Sequence, residues 1–351
     1  PVPSVVNVAY GMTNLQFGRD YILPKPLDPR LLTTVAPAVA RGAMESGVAR
    51  RPIVNWDEYD EKLRTLMGVD NQMSRQFTDM AKANPKRVIF SEGNTDSMLR
   101  AASQAMRAGV CSPILLGNEE MIEKRAKRLG INLDGIEIVN PRHDREAERR
   151  HQFALKLAQK RQRQGVTYPE ALENMFDRNY FGMMMVETGE ADAFITGLYT
   201  KYSNTIKVAK EVIGIQSGYK HFATMHILNS KKGTYFLADT LINRHPDTET
   251  LVDIAKLSKE TVEFFNQTPV MAMLSYSNFG SDNEGSPAKV HEAIDIIQRE
   301  YSDLAIDGEM QVKYAMNKEA RDERYPFTRL LGKDVNTLIF PNLSSANATY
   351  Q

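Results

Sequence analysis

From Arg87 onward the chain alternates short apolar runs with amphipathic stretches, and that alternation limits its fold more than any other feature. The runs "RVIF" (87–90), "SPILLG" (112–117), "GIEIV" (135–139) and "ADAFITG" (191–197) are separated by helical spacing over 95–108, 118–129, 144–163 and 168–188. Strands alternating with helices of this length make βαβ units, so the expected class is α/β with mostly parallel sheets. After Gly218 the pattern changes. "KHFATMHILNSKKGTYFLAD" reads as two strands joined by "NSKKG" in a hairpin. Further strands are expected at "PVMAMLSY" (269–276), "LAIDG" (304–308) and "VNTLIFP" (335–341), with helices at 248–266 and 287–301. A break near 214–220 then divides two α/β lobes. The cleft between them, at the carboxyl ends of strands, is the default ligand site.

At 351 residues the chain exceeds one compact domain, so more than one folded unit is expected. Residues 1–50 hold a Pro-rich extended piece and a helix in "DPRLLTTVAPAVARGAMESG", with Gly47 as its stop. Residues 51–85 read as a helical linker, 86–217 as the first lobe and 218–351 as the second. Lys+Arg and Asp+Glu both number 44, which gives no case for a nucleic-acid or membrane partner. No apolar run reaches the roughly 20 residues that span a bilayer. The lone cysteine, Cys111, excludes an internal disulfide framework and fits a reducing, cytoplasmic setting. Its place in "RAGVCSPILLG" favours packing over nucleophilic work. The chain starts at Pro1, and its opening reads as the interior of something longer.

Polar loops follow the expected strands: "SEGNTD" (91–96), "TGLYTKYSNTIK" (196–207), "SYSNFGSDNEGS" (275–286), "DGEMQ" (307–311) and "PNLSSANA" (341–348). Gly, Ser, Thr and Asn there offer neutral donors to phosphate or carboxylate oxygens, and Lys207, Arg161 and Arg163 offer countercharge. Each loop alone is a turn; their repetition at equivalent positions is what suggests a site. Between Arg142 and Arg163 eight basic residues face three acidic ones. That run is either a solvated helical face or one that turns Arg161 inward to an anion. The chain has no G-x-G-x-x-G, G-x-x-x-x-G-K-[ST] or H-E-x-x-H, so nucleotide-loop and zinc-protease signatures are missing. His221, His226 and His245 lack metal-like spacing, and "MMMV" (183–186) reads as core. No metal set and no catalytic residue is expected in this chain.

Taken in order, "RVIFSEG", "NYFGMMMVETGEADAFITG", "YSNTIKVAKEVIG", "TYFLADT", "PVMAMLSYSNFGS", "AIDGEMQV" and "LIFPNLSSANATY" resemble the phosphate acetyltransferase family, from about residue 86 onward. "FGRDYILPKPLDPRLLTTVAPAVARGAMESGVA" is similar to the closing segment of the cofactor-binding domain of bacterial malic enzymes. The pair of resemblances implies the C-terminal part of a multidomain NADP-dependent malic enzyme. Its fold would be two-lobed and phosphotransacetylase-like, akin to isopropylmalate dehydrogenase. The whole enzyme would oxidatively decarboxylate malate to pyruvate and CO2, with NADP and a divalent Mg or Mn bound upstream. The module's partners would be its own malic enzyme domain and further copies of itself.

The resemblance also implies a cleft shaped for acetyl-CoA. Its contacts would be Arg161, Tyr202, Ser203, Asn204, Thr205, Lys207, Ser275, Ser277, Gly280, Ser281, Asp307, Glu309, Gln311, Asn342 and Asn347. Departures from the family pattern accompany it. Lys207 stands for an arginine, losing the planar fork that grips phosphate. Phe279 stands for a lysine, and "SEGNTDSML" lacks the usual acidic and arginine pattern. Arg161 is retained, and the family's Ser-Arg-Gly segment, with its return to the first lobe, would lie beyond Gln351. These departures favour a module that senses acetyl-CoA over one that turns it over. The alternatives are an active phosphate acetyltransferase and an oligomerisation scaffold with a vestigial cleft.

Overall fold

A computed structural model describes residues 6, 10, 18–19, 21–26, 28, 30–66, 72–230 and 233–351. Much of the expected extended opening piece lies outside the described residues. The chain divides into a unit of residues 1–75 with 229–234 and a unit of 76–228 with 235–351.

In the first unit, α1 (Arg30–Glu45) and α2 (Trp56–Leu66) are amphipathic helices. Asp28, almost fully buried, holds the Arg30 guanidinium just before α1, with Oδ2 to Nη2 at 2.6 Å. Residues Gln72–Ala83 form α3, most of which, from Gln76, belongs to the second unit.

The second unit carries two sheets. The first contains β1 (Lys86–Phe90), β2 (Cys111–Leu116), β3 (Glu137–Val139) and β4 (Ala193–Ile195), in the order β3-β2-β1-β4, all parallel. From Pro113 to Leu116 β2 is buried on both faces, which is why "PILL" is a continuous apolar run. Ile89, Ile114 and Leu116 point to one core with Phe153, Phe181 and Met183 to Met185, while Phe90 and Leu115 point to the other with Leu99 and Ile122. On that second face lie α4 (Asp96–Ala108) and α5 (Glu119–Leu129). Each starts at a side-chain cap, Thr95 and Asn118, and ends at a left-handed glycine, Gly109 and Gly130. Opposite them lie α6 (Ala147–Arg161), α7 (Tyr168–Asn174), α8 (Arg178–Glu187) and α9 (Tyr202–Val212). Gly182 lets α8 press on β4: a Cβ there would sit 2.4 Å from the Phe194 ring.

The second sheet contains β5 (Met225–Ser230), β6 (Gly233–Ala238), β7 (Val270–Leu274), β8 (Ala305–Met310) and β9 (Thr337–Ile339), in the order β5-β6-β9-β7-β8. The pairs β6/β9, β9/β7 and β7/β8 are parallel. Met271, Met273 and Ile339 face a core with α10 (Thr248–Phe264) and α11 (Gly285–Glu300). Ala272, Leu274 and Leu338 face the other, with α12 (Val312–Met316) and α14 (Leu343–Tyr350); α13 (Lys318–Arg324) follows α12. The sheets fall on either side of the 214–220 segment.

Several elements differ from the sequence expectation. The single helix over 168–188 is two, because Asp177 starts a new helix by accepting the N–H of Asn179 at 2.8 Å. The "TGLYTKYSNTIK" segment turns helical at Tyr202. Asp307 and Glu309 lie within a strand, and "PNLSSANA" enters a helix at Leu343.

Candidate functional site

Loops at the carboxyl ends of the first sheet are sewn together by Glu92, which is fully buried after β1. Its carboxylate accepts the N–H groups of Leu198 and Tyr199, both at 2.9 Å, and the Thr200 hydroxyl at 3.3 Å. Two backbone donors and one hydroxyl of the loop after β4 are thereby spent on the protein itself. The next N–H groups are those opening α9, whose N-cap residue, Lys201, provides no side-chain cap. By contrast α4, α5, α7, α8, α10, α13 and α14 are all capped by their own side chains.

On the first turns of α9, Ser203 and Asn204 are exposed, and Thr205 has a buried hydroxyl without a hydrogen-bond partner. The Tyr202 phenol is pushed up to about 12, first by burial and then by the charge of Asp239 from the second lobe. Lys207 reaches into solvent, with its ammonium 3.7 Å from Glu211 Oε1, while Tyr180 Oη donates to Glu211 Oε2.

Arg161 does turn inward, but to backbone. Its Nε donates to the Glu211 carbonyl at 2.5 Å, Nη2 to the Lys210 carbonyl at 2.6 Å and Nη1 to Gln164 Oε1 at 3.3 Å. The guanidinium therefore caps the C-terminal end of α9. It also lines a cavity of about 340 Å³ with residues from before and after the 214–220 segment, including Lys210, Glu211, Lys220, His221 and Asn243. Lys210 lies 5.2 Å from the Phe222 ring centroid, and Lys220 pairs with Glu249.

In the second lobe, the loop after β7 is closed on itself. Gly280 N–H donates to Glu309 Oε1 at 2.6 Å, and Phe279 N–H to the Glu309 carbonyl at 2.8 Å. Ser277 N–H donates to Ser275 Oγ, Asn278 N–H to Ser281 Oγ, and Asp282 N–H to Ser277 Oγ. The remaining amide, Ser281 N–H, meets the Asn278 carbonyl at 3.1 Å. Ser277 Oγ is 2.8 Å from Ser281 Oγ and 3.3 Å from Glu309 Oε1; His291 Nδ1 is 3.3 Å from Glu309 Oε2. Every backbone donor from Ser277 to Asp282 is thus taken, and Glu309, with no exposed surface, fills the place of an anion. Phe279, at φ 46°, lays its ring 4.8 Å from Tyr325 and 5.1 Å from Phe327. The aromatic ring is anchored in packing where a cation would reach out.

Asp307 accepts from Thr328 Oγ1 at 2.6 Å and Arg329 N–H at 2.8 Å. Gln311 donates Nε2 to the Tyr276 carbonyl at 2.7 Å. Asn342 caps α14 by accepting Ser345 N–H at 3.0 Å, and Asn347 lies half-buried on that helix. The fold thus places Tyr202 to Lys207 on the first turns of α9 and Arg161 at its other end, and gathers Ser275 to Ser281 with Glu309 and Gln311 around the β7 loop. These groups share no hydrogen bond or ion pair among the described residues. Sequence reasoning passed over Glu92, Lys210 and Lys289. Lys289 Nζ donates to the carbonyls of Pro246 at 2.7 Å and Pro341 at 3.0 Å, and burial pulls its pKa down. Its position four residues into a helix after a polar loop was the only signal.

Known proteins agree with this architecture. The sequence profile described as "Phosphate acetyl/butaryl transferase" matches residues 72–351. NADP-dependent malic enzymes from Salmonella typhimurium and Escherichia coli are 38% and 37% identical to 99% of this chain. The chain spans about half the length of these relatives, 46% in each case. A phosphate acetyltransferase from Bacillus subtilis is 31% identical over 76% of this chain and 80% of its own length. A phosphotransacetylase structure from Streptococcus pyogenes superposes with a TM-score of 0.72 at 29% identity, covering 80% of this chain and 84% of that one. One from Staphylococcus aureus gives 0.70 at 28%, with the same coverage. Matched over residues 72–351, this chain belongs to the phosphate acetyl/butaryl transferase family, in the form found at the C-terminal part of NADP-dependent malic enzymes.

Proposed function

We propose that this chain is the regulatory C-terminal part of an NADP-dependent malic enzyme, and that it binds acetyl-CoA as an effector without transferring the acetyl group. The observation that carries this reading is the contrast between two walls. The α9 wall keeps an uncapped helix start, an unpartnered Thr205 hydroxyl and the exposed cation Lys207. These suit the phosphates of a coenzyme. The β7 wall has spent its amides on its own chain, two of them on Glu309, and carries packed Phe279 in place of a cation, so it offers little to a transferring phosphoryl or acyl oxyanion.

In this reading the partners are the upstream malic enzyme domain and further copies of the chain, in the cytoplasm. NADP and divalent Mg or Mn act upstream. No group of three His, Cys, Asp or Glu that could hold a metal ion occurs among the described residues, and no metal chemistry is assigned to them.

The test is calorimetric titration of acetyl-CoA into the full-length enzyme, paired with malate oxidation rates. Binding with a changed rate supports the reading; neither heat nor rate change overturns it. The likeness to the Bacillus subtilis phosphate acetyltransferase keeps an active transferase as the second reading. It requires acetyl transfer from acetyl phosphate to CoA, which a flat assay would remove.

A further inference from the structure

Helix α3 is tied to both lobes by different means. At its C-terminal end only Asn84 and Pro85 separate it from β1, a central strand of the first sheet. Pro85 fixes its own φ and restrains the residue before it, so this joint is short and stiff. One and a half turns earlier, the Phe77 ring lies 4.5 Å from Phe265, tilted by 43°. Phe265 follows directly on α10 in the second lobe and stacks 6.3 Å from Phe236, which is fully buried in β6. Phe77, Phe265 and Phe236 therefore form a ladder of rings from the face of α3 into the second sheet.

The covalent route between the lobes is the segment between α9 and β5, residues 213–224. Gly214 and Gly218 there take φ of 89° and 91°, conformations open to glycine at little cost. That route is suited to bending. The α3 route is of another kind, stiff at the first lobe and seated on the second by ring contact. A change in the angle between the lobes must either slide Phe77 over Phe265 or swing α3 about the Asn84-Pro85 joint.

We propose that α3 is a coupling strut, which converts a change of lobe angle into a movement of the upstream chain through the seat of Phe77 on Phe265. The inference deepens the effector reading above and rests on it for the identity of the signal. The geometry of the strut does not depend on which ligand moves the lobes. Aromatic packing suits the task, because two rings hold an angle yet can slip without breaking a hydrogen bond.

The experiment uses the full-length enzyme as wild type, Phe77→Ala, Phe265→Ala, the double variant and Phe77→Leu. Acetyl-CoA binding is followed by calorimetry, malate oxidation by rate, and backbone opening by amide hydrogen exchange. The strut requires both single alanine variants to bind acetyl-CoA within about twofold of wild type while losing at least about threefold of its effect on rate, within the usual range of coupling. The double variant should lose no more than either single one, because the rings act as one contact. Phe77→Leu should restore most of the response. An unchanged rate response in both alanine variants overturns the strut.

Where wild type neither binds nor responds to acetyl-CoA, the effector reading falls and hydrogen exchange decides the strut by itself. Faster exchange at 213–224 in Phe77→Ala, far from the lost ring, upholds it. Faster exchange confined to α3 overturns it.

Discussion

The Gly280 backbone N–H donates to the Glu309 carboxylate at 2.6 Å, so a loop shaped like an anion cradle holds a carboxylate of its own chain. Glu309→Ala would remove a fully buried carboxylate that accepts from Gly280 and the buried Ser277 and meets the half-exposed His291. Buried donors left without partners are expensive, and the expected loss is about 3 kcal/mol of stability. Urea unfolding measures it; an unchanged midpoint would show that the loop is held by other contacts.

Arg161 separates two roles that one residue can play. As the cap on the Lys210 and Glu211 carbonyls, its change to alanine should cost about 2 kcal/mol, with Arg161→Lys recovering part through charge alone. Full stability in Arg161→Ala combined with lost acetyl-CoA binding would move the residue from structure to ligand.

Gly182 is a packing constraint. The methyl of Gly182→Ala would enter the Phe194 ring at 2.4 Å and approach Leu116 Cδ1 at 2.9 Å. Overfilling this contact between α8 and the first sheet should cost about 2 kcal/mol, read by thermal unfolding. A neutral variant would mean that Phe194 turns aside freely.

Asp192 gives an acid-stability test. Arg87 holds it with a side-chain contact at 3.0 Å and a backbone N–H at 2.8 Å, and its pKa falls to about 2, first through the side-chain bond. A lowered native pKa means stability present above the ordinary value of 3.8 and lost as pH falls from there toward 2. Asp192→Asn should flatten the stability curve in that window and leave its shape at pH 7 intact. An identical acid limb in both proteins would count against the pair.

Tyr202 can be read directly. Burial and Asp239 keep its phenol neutral until about pH 12. Difference absorbance of wild type against Tyr202→Phe should place the tyrosine's titration there; a midpoint near the ordinary 10 would mean that Tyr202 stands in water.

Much of this fold can be read in the residues, because its signals are local. Two-sided burial made "PILL" apolar throughout, and Thr95, Asn118 and Asp247 announce their helices by accepting the first free N–H groups. The start of α9 was missed because Lys201 gives no such announcement. The break at Met175–Asp177 was passed over although Asp177, followed by Arg178 and Asn179, carried a cap signal within an otherwise helical apolar pattern. The site was less legible. Asp307 and Glu309 look like ligand contacts because both are polar and follow an apolar strand. What occupies them, Thr328 and Gly280, is 21 and 29 residues away, and no local pattern reports that. Arg161 posed the same difficulty: its inward turn could be anticipated, but the carbonyls that meet it belong to another helix.

Lys289 carries a thermodynamic consequence. Its ammonium joins the turn after β6 to the turn after β9 before any ligand arrives. Segments already immobilised lose little freedom when something binds against them. Association on that side of the molecule should then show a small ordering entropy, with the main entropic penalty arising at the bendable glycines of the 214–218 connection.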